Sequence, residues 1–251
     1  MHPANHASIP RRAVLGLALV LAGGTALAQG YPTRPIRLVV PFPPGGGTDI
    51  IAREVANKVA TSEGWTIVID NKPGSGGNIG VDAAVKASPD GYTLVLGQTS
   101  NLAINPSLYA KLPYDPVKDL APVGLVASAP LVVVVSGTSP YKTLADVVAA
   151  AKAKPTALNY ASSGNGTVAH LATEQFQKAA GVQFTHVPYK GASQGLTDLV
   201  GGQIQMYVSS VPTLIAQIKS GQLRALAVTS LQRNRDLPDV CLLYTSPSPR
   251  D

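Results

Sequence analysis

Ile36-Arg-Leu-Val-Val-Pro-Phe42 runs straight into Pro43-Pro44-Gly45-Gly46-Gly47, and Thr48-Asp49 follow. An apolar run stops at a Pro/Gly cluster, after which Ile51, Val55 and Val59 recur at four-residue spacing. That order reads as a strand, a glycine-rich turn and an amphipathic helix that Thr48 or Asp49 can cap. The pattern then repeats. Thr66-Ile-Val-Ile69 leads through Gly74-Ser-Gly-Gly77 to an Ala-rich helix over about 79–87, and Tyr92-Thr-Leu-Val-Leu-Gly97 is a third strand. Leu131-Val-Val-Val-Val135 does not alternate, so it is expected to be buried on both faces. Strands at 158–161, 184–187, 204–208 and 223–228 alternate with helical stripes through Leu144/Val147/Val148/Ala151, Val168/Leu171/Ala172/Phe176/Ala179, Leu196/Leu199/Val200 and Leu214/Ile215/Ile218. Strand–helix alternation of this kind predicts an α/β protein with mainly parallel sheets.

Upstream, Arg11-Arg12 precede the apolar run Ala13–Ala22, Gly23-Gly24 break it, and Ala26-Leu27-Ala28 supplies small residues where a signal peptidase reads. Basic region, short apolar region and A-x-A site form an export signal, expected to be cleaved after Ala28. The run is too short before its glycines for a span of about 20 apolar residues. The Arg pair also permits a twin-arginine route. The mature product is therefore expected in the periplasm.

Composition narrows the function. Hydrophobic residues make up 45 % of the 251 and charged residues 14 %, which excludes a solvated disordered chain. Aromatics at 5 % argue against nucleic-acid stacking platforms. Without the Arg pair of the leader the net charge falls from +6 to +4, a mild, dispersed excess suited to small anions. Cys241 is the single cysteine and has no internal partner. Beyond the leader only His170 and His186 remain, too few for an ordinary zinc site. No cofactor is expected.

Ligands in open α/β sheets sit beyond the carboxyl ends of strands, where helix N-termini point inward. Two strand-to-helix loops here are rich in Gly and hydroxyls: Pro44–Asp49 and Ser162-Ser163-Gly164-Asn165-Gly166-Thr167. Each offers N–H donors and hydroxyls that match a carboxylate, although each alone also reads as an ordinary turn with a capped helix. Enzyme signatures are missing. The first loop lacks the P-loop Lys and no G-x-G-x-x-G opens the helix. Ser163 and His170 carry no G-x-S-x-G elbow. His170 is expected to be packed or at the cleft rim, His186 to be structural, and Asp49 to cap its helix or order its own loop.

The first segment resembles the opening of the Bug (TctC-like) family, the extracytoplasmic solute receptors of tripartite tricarboxylate transporters. The likeness continues through Asn71-Lys-Pro-Gly74, Gly76-Gly-Asn-Ile-Gly80, Pro89-Asp-Gly-Tyr-Thr-Leu94, Ala103-Ile-Asn-Pro-Ser-Leu-Tyr109 and Leu112-Pro-Tyr-Asp115. It resumes in Asn159–Thr167, Val187-Pro-Tyr-Lys-Gly191 and Leu223-Arg-Ala-Leu-Ala-Val-Thr229. The resemblance implies a type II periplasmic-binding-protein fold, two α/β domains around a ligand cleft. Domain 1 would comprise residues 29–128 plus 226–240, and domain 2 residues 129–225. It implies capture of a small carboxylate, a di- or tricarboxylate or related organic acid, and delivery to the transporter's membrane permease by a monomeric, non-enzymatic receptor. The alternative is an exported enzyme or sensor using the same cleft. Carried onto this chain, the ligand-binding candidates are Gly46, Gly47, Thr48 and Asp49 from the first loop. Ser163, Asn165, Gly166 and Thr167 come from the second. Ser100, Asn101, Tyr189 and Phe42 are wall candidates.

Two departures stand out. Many relatives carry an acid after the strand that corresponds to Gln205–Val208; here that place is Ser209, within Val208-Ser209-Ser210-Val211-Pro212. The end, Cys241–Asp251, is unlike the family, so residues 241–251 are expected to be a non-native tail on a truncated C-terminal part.

Overall fold

The computed structural model describes residues 30–243. The leader expected over 1–28 and the final residues 244–251 lie outside them. The chain divides into Met1–Thr33 and Arg34–Asp251, and every element below belongs to the second unit.

The smaller sheet contains β1 (Ile36–Val40), β2 (Ile67–Asn71) and β3 (Thr93–Val95), all parallel, in the order β2-β1-β3. Helix α1 (Gly47–Glu63) crosses from β1 to β2, and α2 (Asn78–Val85) from β2 to β3. Leu38, Val40 and Ala52 form the small core, with Ile67, Ile69, Leu94 and Leu96 packed on it. α1 buries Ala52 and Ala56, leaving Ile51, Val55 and Val59 half-buried on its flanks. Gly64 ends it in the left-handed conformation at φ 70°, where glycine has no Cβ to clash. After β3 the chain makes a π-type turn, Ser100–Ile104, into α3 (Asn105–Leu108). Residues 109–130 then reach the larger sheet without helix or strand.

The larger sheet contains β4 (Leu131–Ser136), β5 (Asn159–Ser162), β6 (Thr185–Pro188), β7 (Met206–Ser210), β8 (Leu223–Val228) and β9 (Cys241–Leu242). Its order is β6-β5-β7-β4-β8-β9. Helices α4 (Leu144–Ala153), α5 (Val168–Ala180), α6 (Ala192–Val200) and α7 (Val211–Lys219) cover its two faces. β4 explains why its sequence does not alternate. Val133 and Val135 enter one core with Tyr160, Met206 and Phe184, while Val132 and Val134 enter the other with Tyr207, Leu199 and Leu214. Each such buried side chain contributes about 1.5–3 kcal/mol.

The sheets are mainly parallel, as expected: pairing is parallel throughout the smaller sheet and between β5 and β6, β5 and β7, and β8 and β9, while β4 runs antiparallel to both β7 and β8. β4 enters from 109–130 with no crossover helix to reverse the chain. The return to the first domain expected at residue 226 is not seen. Leu226, Ala227 and Val228 are buried in the larger sheet, with Val132 opposite Val228 and Val133 opposite Ala227. Cys241 and Leu242, expected to begin a non-native tail, pair in parallel with Ala227 and Val228.

Candidate functional site

Each sheet has a point where consecutive crossovers leave in opposite directions. In the smaller sheet it is β1, flanked by β2 and β3; in the larger it is β5, flanked by β6 and β7. Crevices open at the carboxyl ends of such strands. The two crevices face one another across a cavity of about 80 Å³. The cavity is partly open to solvent, with polar and apolar lining that suits a small organic acid.

Four helix N-termini meet there. Gly46 and Gly47 open α1, Thr167 and Val168 open α5, Ala192 opens α6, and Ser210 precedes α7. Each terminus brings the positive end of a helix dipole, although the Gly47 and Val168 amides are themselves taken by Thr213 and Ser100. The remaining lining is hydroxyl, amide and apolar, and none of its residues carries a formal charge.

Hydrogen bonds cross the cavity. The Gly47 N–H donates to Thr213 Oγ1 at 2.9 Å, and Thr213 Oγ1 lies 2.8 Å from Ser210 Oγ. The Val168 N–H donates to Ser100 Oγ at 3.2 Å. Thr48 accepts from the Gln98 side-chain amide. Gly47 has no room for a side chain, since a Cβ there would lie 2.4 Å from Ser210 Oγ.

The expected site residues separate into two groups. Phe42, Gly46, Gly47, Thr48 and Ser100 line the cavity from the smaller sheet, and Ser163, Thr167 and Ser209 from the larger. Thr167 is also the cap of α5: its hydroxyl accepts from the His170 N–H and donates to the Gly164 carbonyl at 2.8 Å. Ser163 and Ser209 both meet the fully buried Tyr207 hydroxyl, which burial pushes up from its ordinary pKa.

The other five stand outside the cavity. Asp49 does not cap its helix, whose N-cap is Gly46. Its carboxylate accepts from Arg53 at 2.9 and 3.0 Å, from Asn71 at 2.9 Å and from the Gly45 N–H at 3.0 Å. Burial raises its pKa, but these donors outweigh burial and hold it below the usual carboxylate range. Asp49 thus orders the first loop, one of the two roles open to it. Asn101 is fully buried, its side-chain oxygen accepting from the Gln98 N–H and its carbonyl from Tyr114. Tyr189 turns away to donate to Asp198 at 2.6 Å. Gly166 faces Leu108 across the lobes, and the Asn165 side chain is exposed.

Sequence reading missed Gln98, Ser210 and Thr213. A signal was available for the latter two: Ser209-Ser210-Val211-Pro212-Thr213 is a third strand-to-helix turn, with Pro in the first turn of α7. Gln98 follows β3 with no local cue.

A family model described as the tripartite tricarboxylate transporter family receptor matches residues 51–247. A protein from the tcbD-tcbE intergenic region of Pseudomonas sp. strain P51 is 42 % identical over 238 residues, covering 93 % of this chain and 70 % of its own length. Protein BugT of Bordetella pertussis is 41 % identical, covering 91 % and 71 %. Among solved structures, R. palustris Rpa4515 with adipate is similar at 35 % identity and TM-score 0.85, covering 88 % of this chain and 74 % of that one. MatC from Rhodopseudomonas palustris with bound malate is similar at 29 % identity and TM-score 0.80, covering 87 % and 74 %. The α/β architecture with two subdomains is that of type II periplasmic-binding proteins. The chain belongs to the tripartite tricarboxylate transporter receptor (TctC/Bug) family, a family of periplasmic solute receptors and not of enzymes.

Proposed function

We propose that this receptor captures a small carboxylate with no obligatory amine between its two sheets, a di-acid being favoured over an amino acid. It then presents the closed complex to the permease subunits of a tripartite tricarboxylate transporter. One observation carries the reading: four helix N-termini converge on a cavity whose lining has no charged side chain. Each helix end favours an anion by about 0.3–1 kcal/mol, more when buried. An ammonium group would meet no carboxylate there, and at Ser209 it meets only a hydroxyl. Adipate and malate, bound by the similar structures, are acids of this kind. The ligand contacts fall to Gly46, Gly47, Thr48 and Ser100 on one side and Ser163, Thr167 and Ser209 on the other. Phe42 packs on the carbon stem. Asp49, Asn101, Asn165, Gly166 and Tyr189 shape the walls. The receptor acts as a monomer in the periplasm after cleavage behind Ala28.

The test is a thermal-shift screen of malate, adipate and citrate beside 1,4-butanediol and putrescine. A site-specific ligand at a hundred times its Kd adds about 2.7 kcal/mol of stability. Acids should raise the melting temperature while the neutral and cationic analogues leave it unchanged. A response to the diol or diamine alone, or to none of the acids, overturns the reading.

A further inference from the structure

The second glycine loop is held from beneath by two histidines on different elements. At its start, Ser162 Oγ donates to the Gly164 carbonyl at 3.1 Å and accepts from the Gly164 N–H at 3.2 Å. His186 Nε2, on β6, lies 2.7 Å from the same oxygen. At the end of the loop, the Gly166 N–H donates to His170 Nδ1 at 3.2 Å. That requires an imidazole protonated on Nε2 alone. The two rings lie face to face, 4.2 Å apart and 11° from parallel, and Tyr160 stacks on the far face of His186 at 4.7 Å.

We infer that His170 is a positioning residue for ligand capture, its neutral imidazole clipping the Gly166 amide and thereby fixing the loop that presents Ser163, Thr167 and the first amides of α5. This rests on the carboxylate-site reading above. Gly166 has φ +75°, its Cα faces Leu108, and His170 Nδ1 is the acceptor that its amide meets. A proton on Nδ1 removes the acceptor and confronts the Gly166 N–H with a second N–H. The titratable groups facing the ring are His186 from β6, and Glu174 from α5, whose carboxylate is 3.9 Å from His170 Nε2. Tyr160 from β5 donates to that same carboxylate at 2.9 Å.

The experiment uses the whole ligand-free protein, so it stands apart from the identity of the ligand. Nitrogen-15 NMR should find His170 as the Nε2–H tautomer, with Nδ1 showing the shift of a hydrogen-bond acceptor. His170→Asn puts an amide oxygen near the place of Nδ1, and His170→Phe keeps the stack without an acceptor. Hydrogen exchange at Gly166 should stay slow in His170→Asn and quicken at least tenfold in His170→Phe, while amides of α4 hold. With any acid that the thermal screen identifies, affinity should hold in His170→Asn and fall at least tenfold in His170→Phe. A His170 found as the Nδ1–H tautomer, or a Gly166 amide that stays protected in His170→Phe, overturns the inference. Should His170→Phe not fold, the wild-type tautomer decides.

Discussion

Gly47 is the residue on which most of the cavity turns. Its N–H is bonded across the cleft to Thr213, and a side chain there would collide with Ser210. Gly47→Val should therefore lower affinity for an identified acid by roughly a hundredfold, about 2.8 kcal/mol, with a far smaller change in melting temperature, because α1 remains capped through backbone Gly46. Calorimetry giving wild-type affinity would remove the first loop from the site. Ser209 makes the complementary case. It lines the cavity, and its neighbours there carry no charge. Ser209→Asp places a carboxylate where a di-acid's second group would lie, and should weaken malate or adipate more than a mono-acid of the same length. Equal weakening of mono- and di-acids would mean that the second carboxylate lies elsewhere.

At the scale of elements, what was legible is what is local. The strand–Gly loop–helix period gave α1, α2, α5 and the loops before α1 and α5, because chain neighbours alone decide a strand end, a cap and an amphipathic stripe. The direction of β4 was not legible, since it depends on a connection, 109–130, whose path no local pattern sets. The histidine clip was equally hidden. His170 and His186 sit on a helix and a strand, and only the parallel pairing of β5 with β6 brings Ser162, Tyr160 and His186 under the loop. That packing has a measurable consequence. Burial first, and then the neighbouring His170, depress the pKa of His186 to about 4, with Glu174 acting weakly the other way. A histidine depressed in the folded state binds protons more readily when unfolded. Its contribution is complete above the unfolded value near 6.5 and is lost as pH falls from there towards 4. After allowance for solvent screening at a half-buried ring, the loss is about 1–2 kcal/mol. The melting temperature should fall over that window, and His186→Gln, which can still bond Ser162, should flatten the fall. The same slope in both proteins would place the pH dependence elsewhere.

For the whole molecule, the site exists only when the two sheets approach. Gly47 and Thr213 are 166 residues apart, and Ser100 and Val168 are 68 apart; a sequence read locally finds each loop but not its partner across the cavity. This is why Asn101 and Asn165 looked as eligible as Ser100 and Thr167, while Tyr189 was the weaker candidate: the first four are polar residues of loops that follow strands, and only docking separated them. Docking can be tested without touching a hydrogen bond. Gly191 precedes α6 with extended backbone, φ 177°, which any residue adopts. The nearest obstacle to a side chain is Pro43, on the opposite lobe, whose ring carbons would lie 2.4 Å from a Cβ. The proline ring cannot rotate away, so the lobes themselves must part. Gly191→Val should leave each lobe folded, widen the ligand-free particle in small-angle scattering, and cut affinity for the identified acid roughly tenfold or more, about 1.4 kcal/mol. The wedge bears on Pro43, which lines the cavity without a backbone N–H to offer a ligand, so the loss would come from closure and should appear as faster release. A variant that scatters like wild type and releases ligand at the same rate would show that Pro43 and Gly191 need not meet for capture.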